Sequence, residues 1–311
     1  MPWRTDGIRS VPQAFPYQGS KRALIGEILS LFPDGGVSQL IEPFAGSAAI
    51  SVGARKYGLA TDVAISDVNQ PLIALWNRII EDPGFVIEEY TKHWNAQLDD
   101  PRAYFLQARD DFNQSNDPVL LLYLLCRVVK AAVRYSKNGQ FNQSADHRRL
   151  GARPEAIRKR ISEASRLMQG ASASHQSYES PLVDAPRDAL VYMDPPYQGT
   201  TDVPDHRYLT GLRREPFVDT LQQAVDNNVS FIVSYDVVTD DNKYGTKLPD
   251  ELGLLHRHVT VGASSQATLS GRKEITVESL YLSPALVARL GGAAGVEARV
   301  NVVPTSDDTL F

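Results

Sequence analysis

Cysteine is nearly missing from this chain, which holds one, Cys126, among 311 residues. An internal disulfide framework is therefore excluded, and so is a cysteine-rich zinc site. The six histidines are scattered, and His256 and His258 alternate as on a strand, without partner acids. We therefore expect no metal site, and we expect Cys126 to be a packing residue within its apolar surroundings.

Long hydrophobic runs are missing as well. The longest, Val119 to Cys126, is closed by Arg127 and is far shorter than a membrane span. The first residues show no charged leader followed by an apolar segment and a small-residue cleavage site. We expect a globular cytoplasmic protein with no membrane partner, and its 42% hydrophobic residues suffice for a sizeable core.

Acidic residues outnumber basic residues overall, but the positive charge is concentrated in one segment. The net charge is −5, whereas residues 127–166 carry 11 Lys/Arg and 3 Asp/Glu, a net charge of +8. The rest of the chain therefore has a net charge of −13. A solvated helix face is the ordinary explanation of such a segment. The amide and aromatic residues between Tyr135 and Gln143 favour a nucleic-acid surface instead, because such side chains read bases while Lys and Arg hold phosphates.

The order of the apolar segments predicts an α/β protein. A strand at 37–41, a small-residue turn, a helix and a strand at 63–66 that ends at Asp67 have the order of a nucleotide-binding β-α-β unit. Further strands are predicted near 173–177, 190–193, 229–235, 256–261 and 275–282.

The same pattern predicts four parts of the chain. Residues 1–83 and 173–284 should form the two halves of the α/β domain. Residues 84–172 show helical periodicity, with one helix over 119–133, and should form an inserted helical domain. Residues 285–311, rich in Ala, Gly and Val before an acidic end, are interpreted as a C-terminal tail.

The turn Asp194-Pro195-Pro196-Tyr197 directly follows the apolar run 189–193. Two prolines lack N–H donors, so the turn offers a carboxylate and free carbonyl oxygens as acceptors beside an aromatic ring. Such a pocket suits an exocyclic amino group on a flat base: Asp194 and the Pro195 carbonyl each accept one N–H, and Tyr197 stacks on the ring. A strand that simply ends in a proline turn is the alternative.

The turn Glu42-Pro43-Phe44-Ala45-Gly46-Ser47 contains a single glycine. The dinucleotide fingerprint needs three, so a nicotinamide dehydrogenase is disfavoured. A turn with one close approach still fits a ligand without a pyrophosphate, such as S-adenosylmethionine. Asp67 at the end of the second strand is placed to accept ribose hydroxyls, or alternatively to cap the helix that begins near Pro71.

Together these motifs resemble the Dam-type (D12 class) DNA adenine-N6 methyltransferases. The segments that carry the resemblance are Phe15-Pro16-Tyr17-Gln18-Gly19-Ser20-Lys21, the turn 42–47, Asp67, Asp194-Pro195-Pro196-Tyr197 and Ser234-Tyr235-Asp236. The resemblance implies a class I S-adenosylmethionine-dependent methyltransferase fold: a Rossmann-like, mostly parallel seven-stranded sheet with an inserted helical target-recognition domain.

The resemblance also implies the cofactor site and the catalytic residues. Ser177-Tyr178 fits the family's polar-aromatic pair that covers the cofactor adenine, although an ordinary strand-end tyrosine fits equally well. The implied catalytic residues are Asp194, Pro195, Pro196 and Tyr197. The residues implied to surround S-adenosyl-L-methionine are Tyr17, Lys21, Glu42, Phe44, Gly46, Asp67, Tyr178 and Asp194.

The stretch Arg134-Tyr135-Ser136-Lys137-Asn138-Gly139-Gln140-Phe141-Asn142 resembles the family's target-recognition segment. By analogy Tyr135 wedges into the base stack where the target base leaves it. Around Gly139 a hairpin turn that packs its Phe inward is the structural alternative, and the two roles are compatible. The residues implied to contact DNA are Arg134, Tyr135, Lys137, Asn138, Phe141, Asn142, Arg148 and Arg149.

Two departures set this chain apart from the branch of the family that reads GATC. Residues 143–146 are Gln-Ser-Ala-Asp where the family usually has Val-Pro-Phe-Gly, and Pro16 stands where that branch has Lys. The predicted function is methylation of adenine N6 in duplex DNA, with a cognate restriction endonuclease as an optional functional partner. Methylation of cytosine N4 or of RNA adenine, and a catalytically silent DNA-binding relative, remain the alternatives.

Overall fold

The computed structural model describes residue 3 and residues 10–196, 212–239, 242–244, 247–263 and 275–300. Tyr197, the last residue of the predicted catalytic turn, lies outside the described residues. So do most of the loop that follows it and the acidic C-terminal end, residues 301–311.

One mixed sheet forms the centre of the molecule. Its spatial order is β3-β2-β1-β4-β5-β8-β7, and a short strand β6 pairs with the end of β5. Strands β3, β2, β1, β4 and β5 are parallel, whereas β8 runs antiparallel to both β5 and β7. The predicted mostly parallel seven-stranded sheet is confirmed, with β6 as a small addition. The strands are β1 Val37–Glu42, β2 Ala60–Asp67, β3 Ser172–His175, β4 Leu190–Met193, β5 Phe231–Thr239, β6 Asn242–Tyr244, β7 Leu255–Ala263 and β8 Ile275–Leu282.

Helices cover the sheet and form the insertion. In chain order they are α1 Ile25–Ser30, α2 Ala49–Lys56, α3 Gln70–Glu81, α4 Pro83–Ala96, α5 Pro101–Ser115, α6 Pro118–Arg127, α7 Pro154–Leu167, α8 Glu179–Val183, α9 Arg214–Asp226, α10 Pro284–Arg289 and α11 Gly292–Val300. Short 3₁₀ turns occur at Lys21–Leu24, Val129–Ala131 and Asp250–Leu252.

The insertion is built from helices with a shared start signal. Asp82, Asp100 and Asp117 each precede a proline, and each carboxylate accepts a hydrogen bond from a backbone N–H in the first turn of α4, α5 or α6. Proline at the first helical position costs nothing because its missing N–H would be unpaired there. Three successive Asp-Pro pairs therefore set where these helices begin.

The insertion and the sheet share one hydrophobic core. Trp76 on α3 is fully buried, and α3 packs against β2 and β3 of the sheet as well as α4, α6 and α7. The apolar run 119–126 lies in α6, where Leu121, Leu122 and Leu124 are completely buried. Among the described residues, no helix has the length and apolar character needed to cross a bilayer.

One sequence prediction was wrong in this part of the chain, and two helices near the C-terminus were not predicted. The helix predicted over 119–133 ends at Arg127, because Val128 is extended, with φ of −84° and ψ of 154°, and Lys130 and Ala131 beyond it are left-handed. The segment predicted as a tail from residue 285 instead forms α10 and α11 as far as Val300. Leu286 and Val296 are fully buried against the core, which holds these Ala- and Gly-rich helices in place.

The topology places a crevice at one edge of the sheet. Strand order reverses between β1 and β4, which are neighbours although two strands lie between them in sequence. In open α/β sheets the helices that follow such strands lie on opposite faces, so a crevice opens beyond their carboxyl ends. The turn after β1, Asp67 at the end of β2 and Asp194 after β4 all lie at this edge.

Candidate active site

A cavity of about 530 Å³ opens at this carboxyl edge of the sheet. It brings together the ends of β1, β2 and β4 with the N-terminal segment before α1 and with the start of α8. All predicted cofactor and catalytic residues that the structure describes line it: Tyr17, Lys21, Glu42, Phe44, Gly46, Asp67, Tyr178, Asp194, Pro195 and Pro196.

The turn after β1 is closed around Gly46. Gly46 has a φ of 47°, and a Cβ at this position would lie 3.0 Å from Tyr17 Cε1 and 3.3 Å from Tyr17 Cδ1. Only glycine allows both this conformation and the close approach of the tyrosine ring. Trp76 Nε1 donates a 3.0 Å hydrogen bond to the Gly46 carbonyl, which ties the turn to α3.

Asp67 joins this turn to the end of β2. Its Oδ2 accepts a 3.2 Å hydrogen bond from Gly46 N, and its Oδ1 accepts a 2.9 Å bond from Asn69 N. Asn69, not Asp67, caps α3, since its side chain accepts from the N–H of Leu72. Burial raises the pKa of Asp67, and the backbone hydrogen bonds oppose that rise. The carboxylate therefore faces the cavity with both oxygens held in place by backbone donors.

Glu42 connects the same turn to helix α2. The side chain is 3% exposed, and its Oε2 accepts from both the backbone N–H and the hydroxyl of Ser51 in α2. Burial raises the pKa of Glu42 to about 8, despite the opposing hydrogen bonds from Ser51. Although Glu42 borders the cavity, these contacts make it a tether between β1 and α2.

An aromatic cluster forms one wall of the cavity. Phe44 and Tyr178 stack with ring centroids 5.3 Å apart and planes inclined by 21°, and Phe217 of α9 meets both rings edge-on. Tyr178 is 6% exposed and directly precedes α8. The wall offers a flat apolar surface, which suits the face of a purine.

The acceptor turn after β4 is held by a buried cation. Lys21 Nζ lies 3.2 Å from Asp194 Oδ1 and 3.0 Å from Oε1 of Glu278 in β8. Burial raises the pKa of Asp194 to about 7; the Lys21 ammonium opposes this rise and Glu278 adds to it. An aspartate with such a pKa near neutrality can accept a proton at physiological pH.

Glu278 was missed by the sequence interpretation. A signal was present, because Glu278 is an acid in the middle of the otherwise apolar or uncharged strand Ile275–Leu282. Its partner Lys21 lies 257 residues earlier in the chain, so no local pattern relates the two.

The predicted recognition segment is a hairpin whose rings point inward. Tyr135 and Phe141 form an antiparallel bridge across the turn at Gly139, which has a φ of 72°. Phe141 is 1% exposed and meets Phe112 edge-on, while both its backbone N–H and its carbonyl bond to the Asn113 side chain. The hairpin with an inward Phe is therefore confirmed.

Tyr135 reaches the cavity from the hairpin. It is 7% exposed, it lines the cavity, and its hydroxyl donates a 3.3 Å hydrogen bond to Asn69 Oδ1. The wedge role predicted for Tyr135 would require the ring to leave this position, and that role stays a prediction.

The charged and amide residues predicted to contact DNA lie on the outside of the hairpin and the following loop. Those that are exposed are Arg134, Lys137, Asn138, Asn142, Arg148 and Arg149. Arg127, the first residue of the basic segment, is 3% exposed, and its guanidinium bonds to the carbonyl oxygens of Arg149 and Asp146. Arg127 therefore holds the loop from inside. Within the described part of the chain, no group of three or more potential metal-ligating side chains occurs.

Comparison with known proteins points to one family. The family model described as D12 class N6 adenine-specific DNA methyltransferase matches residues 17–262. The matched range includes every cavity-lining residue named above, whereas Glu278, the partner of Lys21, lies beyond it.

Individual relatives agree with the family match. The DNA adenine methylases of Vibrio cholerae and of Escherichia coli K12 are each 29% identical to this chain over 187 residues, which cover 58% of this chain and 63% of the relative. The retron Ec67 DNA adenine methylase of Escherichia coli is 28% identical over 193 residues, 59% of this chain and 63% of that protein. The chain thus spans slightly less than two thirds of the length of these relatives.

The raised pKa of Glu42 predicts a specific pH dependence of stability. Between its ordinary pKa of 4.5 and about 8, the carboxyl is ionised in the unfolded chain but protonated in the folded protein. The wild-type free energy of unfolding therefore loses a contribution as pH rises through this window. Glu42→Gln keeps the size and the acceptor but cannot ionise. The variant should gain stability relative to wild type, on the order of 1.4 kcal/mol per pH unit at most.

Urea unfolding of both proteins at several pH values within this window measures the difference. Glu163→Gln, which changes an exposed acid on α7, is the matched control and should keep the wild-type pH dependence. A constant difference between wild type and Glu42→Gln at all pH values would contradict the prediction.

Proposed function

Because this chain belongs to the D12 class of N6 adenine-specific DNA methyltransferases, we propose that it transfers a methyl group from S-adenosylmethionine to the N6 amino group of adenine in double-stranded DNA. The observation that carries the proposal is the single cavity shared by Asp67, the aromatic wall and the Asp194-Pro195 acceptor pair. Such a cavity juxtaposes a nucleoside site and an amino-group site.

The residues present fit the cofactor. The Asp67 oxygens keep lone pairs for two ribose hydroxyls, and Phe44 with Tyr178 provides an apolar face for the adenine. Because Gly46 has no side chain, the Tyr17 ring can pack against the turn, which keeps the ring out of the space that the ligand takes. When bound, S-adenosylmethionine supplies a methyl group made electrophilic by a positively charged sulfur.

Asp194 and Pro195 act on the target amino group. The two N–H bonds of adenine N6 are directed at a carboxylate oxygen of Asp194 and at the Pro195 carbonyl, which orients the nitrogen lone pair away from the ring. With Lys21 on Oδ1, Oδ2 of Asp194 is the oxygen that takes the target N–H. The alignment of nitrogen, methyl carbon and sulfur then accounts for most of the rate.

The proton balance follows from the same contacts. With S-adenosylmethionine held by Asp67 and the aromatic wall, formation of the nitrogen–carbon bond and cleavage of the carbon–sulfur bond would move the positive charge from sulfur to N6. The methylated nitrogen then loses one proton, which Asp194 or water accepts. A pKa of about 7 allows Asp194 to take this proton and to release it to solvent.

The target base must leave the duplex to reach this cavity, which costs a few kcal/mol. The hairpin that carries Tyr135 into the cavity also exposes the neighbouring residues Arg134 and Lys137, so duplex phosphates can be held near the mouth of the cavity. Stacking of the extruded base on Tyr197 stays a prediction, since that residue lies outside the described part of the chain.

The first test is Asp194→Asn. Loss of the charged acceptor should lower the rate of adenine methylation by about 10²-fold to 10³-fold, because stabilisation of the developing charge at N6 is removed. Methylated adenines are read by long-read modification sequencing of DNA from a methylation-deficient host, which also gives the sequence motif. S-adenosylhomocysteine should still bind, which shows that the cavity is intact.

Asp184→Asn is the matched control, because Asp184 is an exposed acid at the end of α8. This variant should methylate like wild type. Full methylation by Asp194→Asn would refute the mechanism, and absence of modified adenine with the wild-type protein would refute the proposed function.

A second test concerns the cofactor turn. Gly46→Ala places a Cβ against the Tyr17 ring and should weaken binding of S-adenosylhomocysteine by about tenfold or more, since the ring must move into the cavity. Gly58→Ala is the matched control: its φ is also positive, at 66°, but nothing lies within 4 Å of its Cβ. It should cost about 1 kcal/mol of stability and leave the affinity unchanged. Titration calorimetry measures the affinity of both variants for S-adenosylhomocysteine. Equal affinities would place the ligand elsewhere.

A third test concerns the DNA surface. The double variant Arg148→Gln, Arg149→Gln should lower the slope of log affinity against log salt by about 1 to 2, because two phosphate contacts are lost. The control Lys92→Gln, Arg102→Gln removes two exposed charges from α4 and α5, outside the basic segment. Its slope should match wild type in fluorescence anisotropy with a duplex. If the two double variants behave alike, the loop at 148–149 is not the phosphate contact.

A further inference from the structure

Three charged side chains meet at the acceptor end of the cavity. They come from distant parts of the chain: Lys21 before α1, Asp194 after β4, and Glu278 within β8. The Lys21 ammonium lies 3.0 Å from Glu278 and 3.2 Å from Asp194, and the side chains are 7%, 10% and 20% exposed, respectively. One cation thus bridges two carboxylates, and the cluster carries one net negative charge when all three groups are ionised.

Glu278 is poorly explained as a stabilising residue. Its Oε1 accepts from Lys21, but its Oε2 is buried and has no hydrogen-bond partner among the described residues. A buried carboxylate with an unpaired oxygen costs free energy, and an ion pair of this kind is often no better for stability than apolar residues of similar volume. The position of Glu278 therefore points to a role in the charge of the cavity.

The charge of the methyl donor explains that role. If Asp194 orients the attacking nitrogen, the sulfonium must lie within several ångströms of Asp194 and hence of Lys21. Without Glu278, the charges of Lys21 and Asp194 would cancel each other, and the cluster would no longer attract the sulfonium. Glu278 cancels the charge of Lys21, so that the charge of Asp194 remains to attract the donor.

Resting on the proposed function, we propose that Glu278 is a positioning and specificity residue. It holds the Lys21 ammonium against Asp194 and neutralises it, so that the cavity favours the cationic donor S-adenosylmethionine over its neutral product S-adenosylhomocysteine. Product inhibition is thereby reduced by the electrostatics of the cavity.

The test compares the affinities of the two ligands. Glu278→Gln keeps the shape but removes one negative charge, so that the charges of Lys21 and Asp194 cancel each other. Its affinity for S-adenosylmethionine should fall by about tenfold or more relative to its affinity for S-adenosylhomocysteine, as expected for one charge at this distance and an effective dielectric of about 20. Calorimetry without DNA measures both dissociation constants, and their ratio is the readout.

Two further variants make the result specific. Glu297→Gln changes an acid that pairs with Arg257 on β7, away from the cavity, and should keep the wild-type ratio. In the double variant Lys21→Met, Glu278→Gln the cation and its counter-charge are both removed. The ratio should return toward the wild-type value, which a purely structural role of Glu278 does not predict.

The outcomes separate the two proposals. If wild type binds both ligands but Glu278→Gln weakens them equally or not at all, the role of Glu278 is refuted while the proposed function stands. Should Glu278→Gln fail to fold, the double variant is the test. If its affinity for S-adenosylmethionine relative to S-adenosylhomocysteine equals that of wild type, charge cancellation is supported. If this relative affinity is lower than in wild type, charge cancellation is refuted. If wild type binds neither ligand, the proposed cofactor itself is wrong.

Discussion

The rest of the site depends on where one buried ammonium group lies. Lys21 holds the turn after β4 to the inner face of β8, and the segment that carries it is itself fastened twice. Ser47 donates a hydrogen bond to the hydroxyl of Ser20, which ties the segment to the turn after β1, and Gln18 N donates to the carbonyl of Ala131 in the insertion. The N-terminal segment thus joins the sheet edge, the acceptor turn and the helical insertion at a single point.

A polar framework takes the place that a glycine-rich loop occupies in dinucleotide-binding sheets. The turn has only one glycine, and its backbone is held by side chains. The Glu42 carboxyl accepts a hydrogen bond from Ser51 N, and the Asp67 carboxylate accepts one from Gly46 N. Both carboxyls are buried and both have raised pKa values, so the framework is costly to ionise. The fold tolerates that cost because each oxygen used has backbone or hydroxyl donors, and the result is a rigid turn without phosphate-binding N–H groups.

How far the sequence predicts this structure depends on the range of the interactions involved. The bounds of β4 and β8 were predicted to the residue, because each is a short run of strand-forming residues with a turn signal at one end or both. The end of α6 was not predicted, since no glycine marks the left-handed positions, which are occupied by Lys130 and Ala131. Helices α10 and α11 were missed because Ala and Gly form weak patterns, and because tertiary contacts such as the burial of Leu286 and Val296 hold them in place. Residues near a strand end in sequence, such as Asp67 and Asp194, were predicted for the site, whereas Glu278 belongs to it only through tertiary contact.

In the hairpin at residues 134–142, polar and aromatic side chains lie on different sides. Its charges and amides face solvent, while Tyr135 and Phe141 point inward and Tyr135 lines the cavity. The Tyr135 hydroxyl donates to Asn69 Oδ1, and Asn69 N donates to Asp67, so two hydrogen bonds separate the hairpin from the carboxylate at the end of β2. Any displacement of Tyr135 toward a duplex breaks the first of these bonds. The same Asn69 oxygen also accepts from Leu72 N at the start of α3, so the helix cap remains when Tyr135 leaves. The hairpin is therefore attached to the Asp67 side of the cavity by a contact that can open without unfolding helix α3.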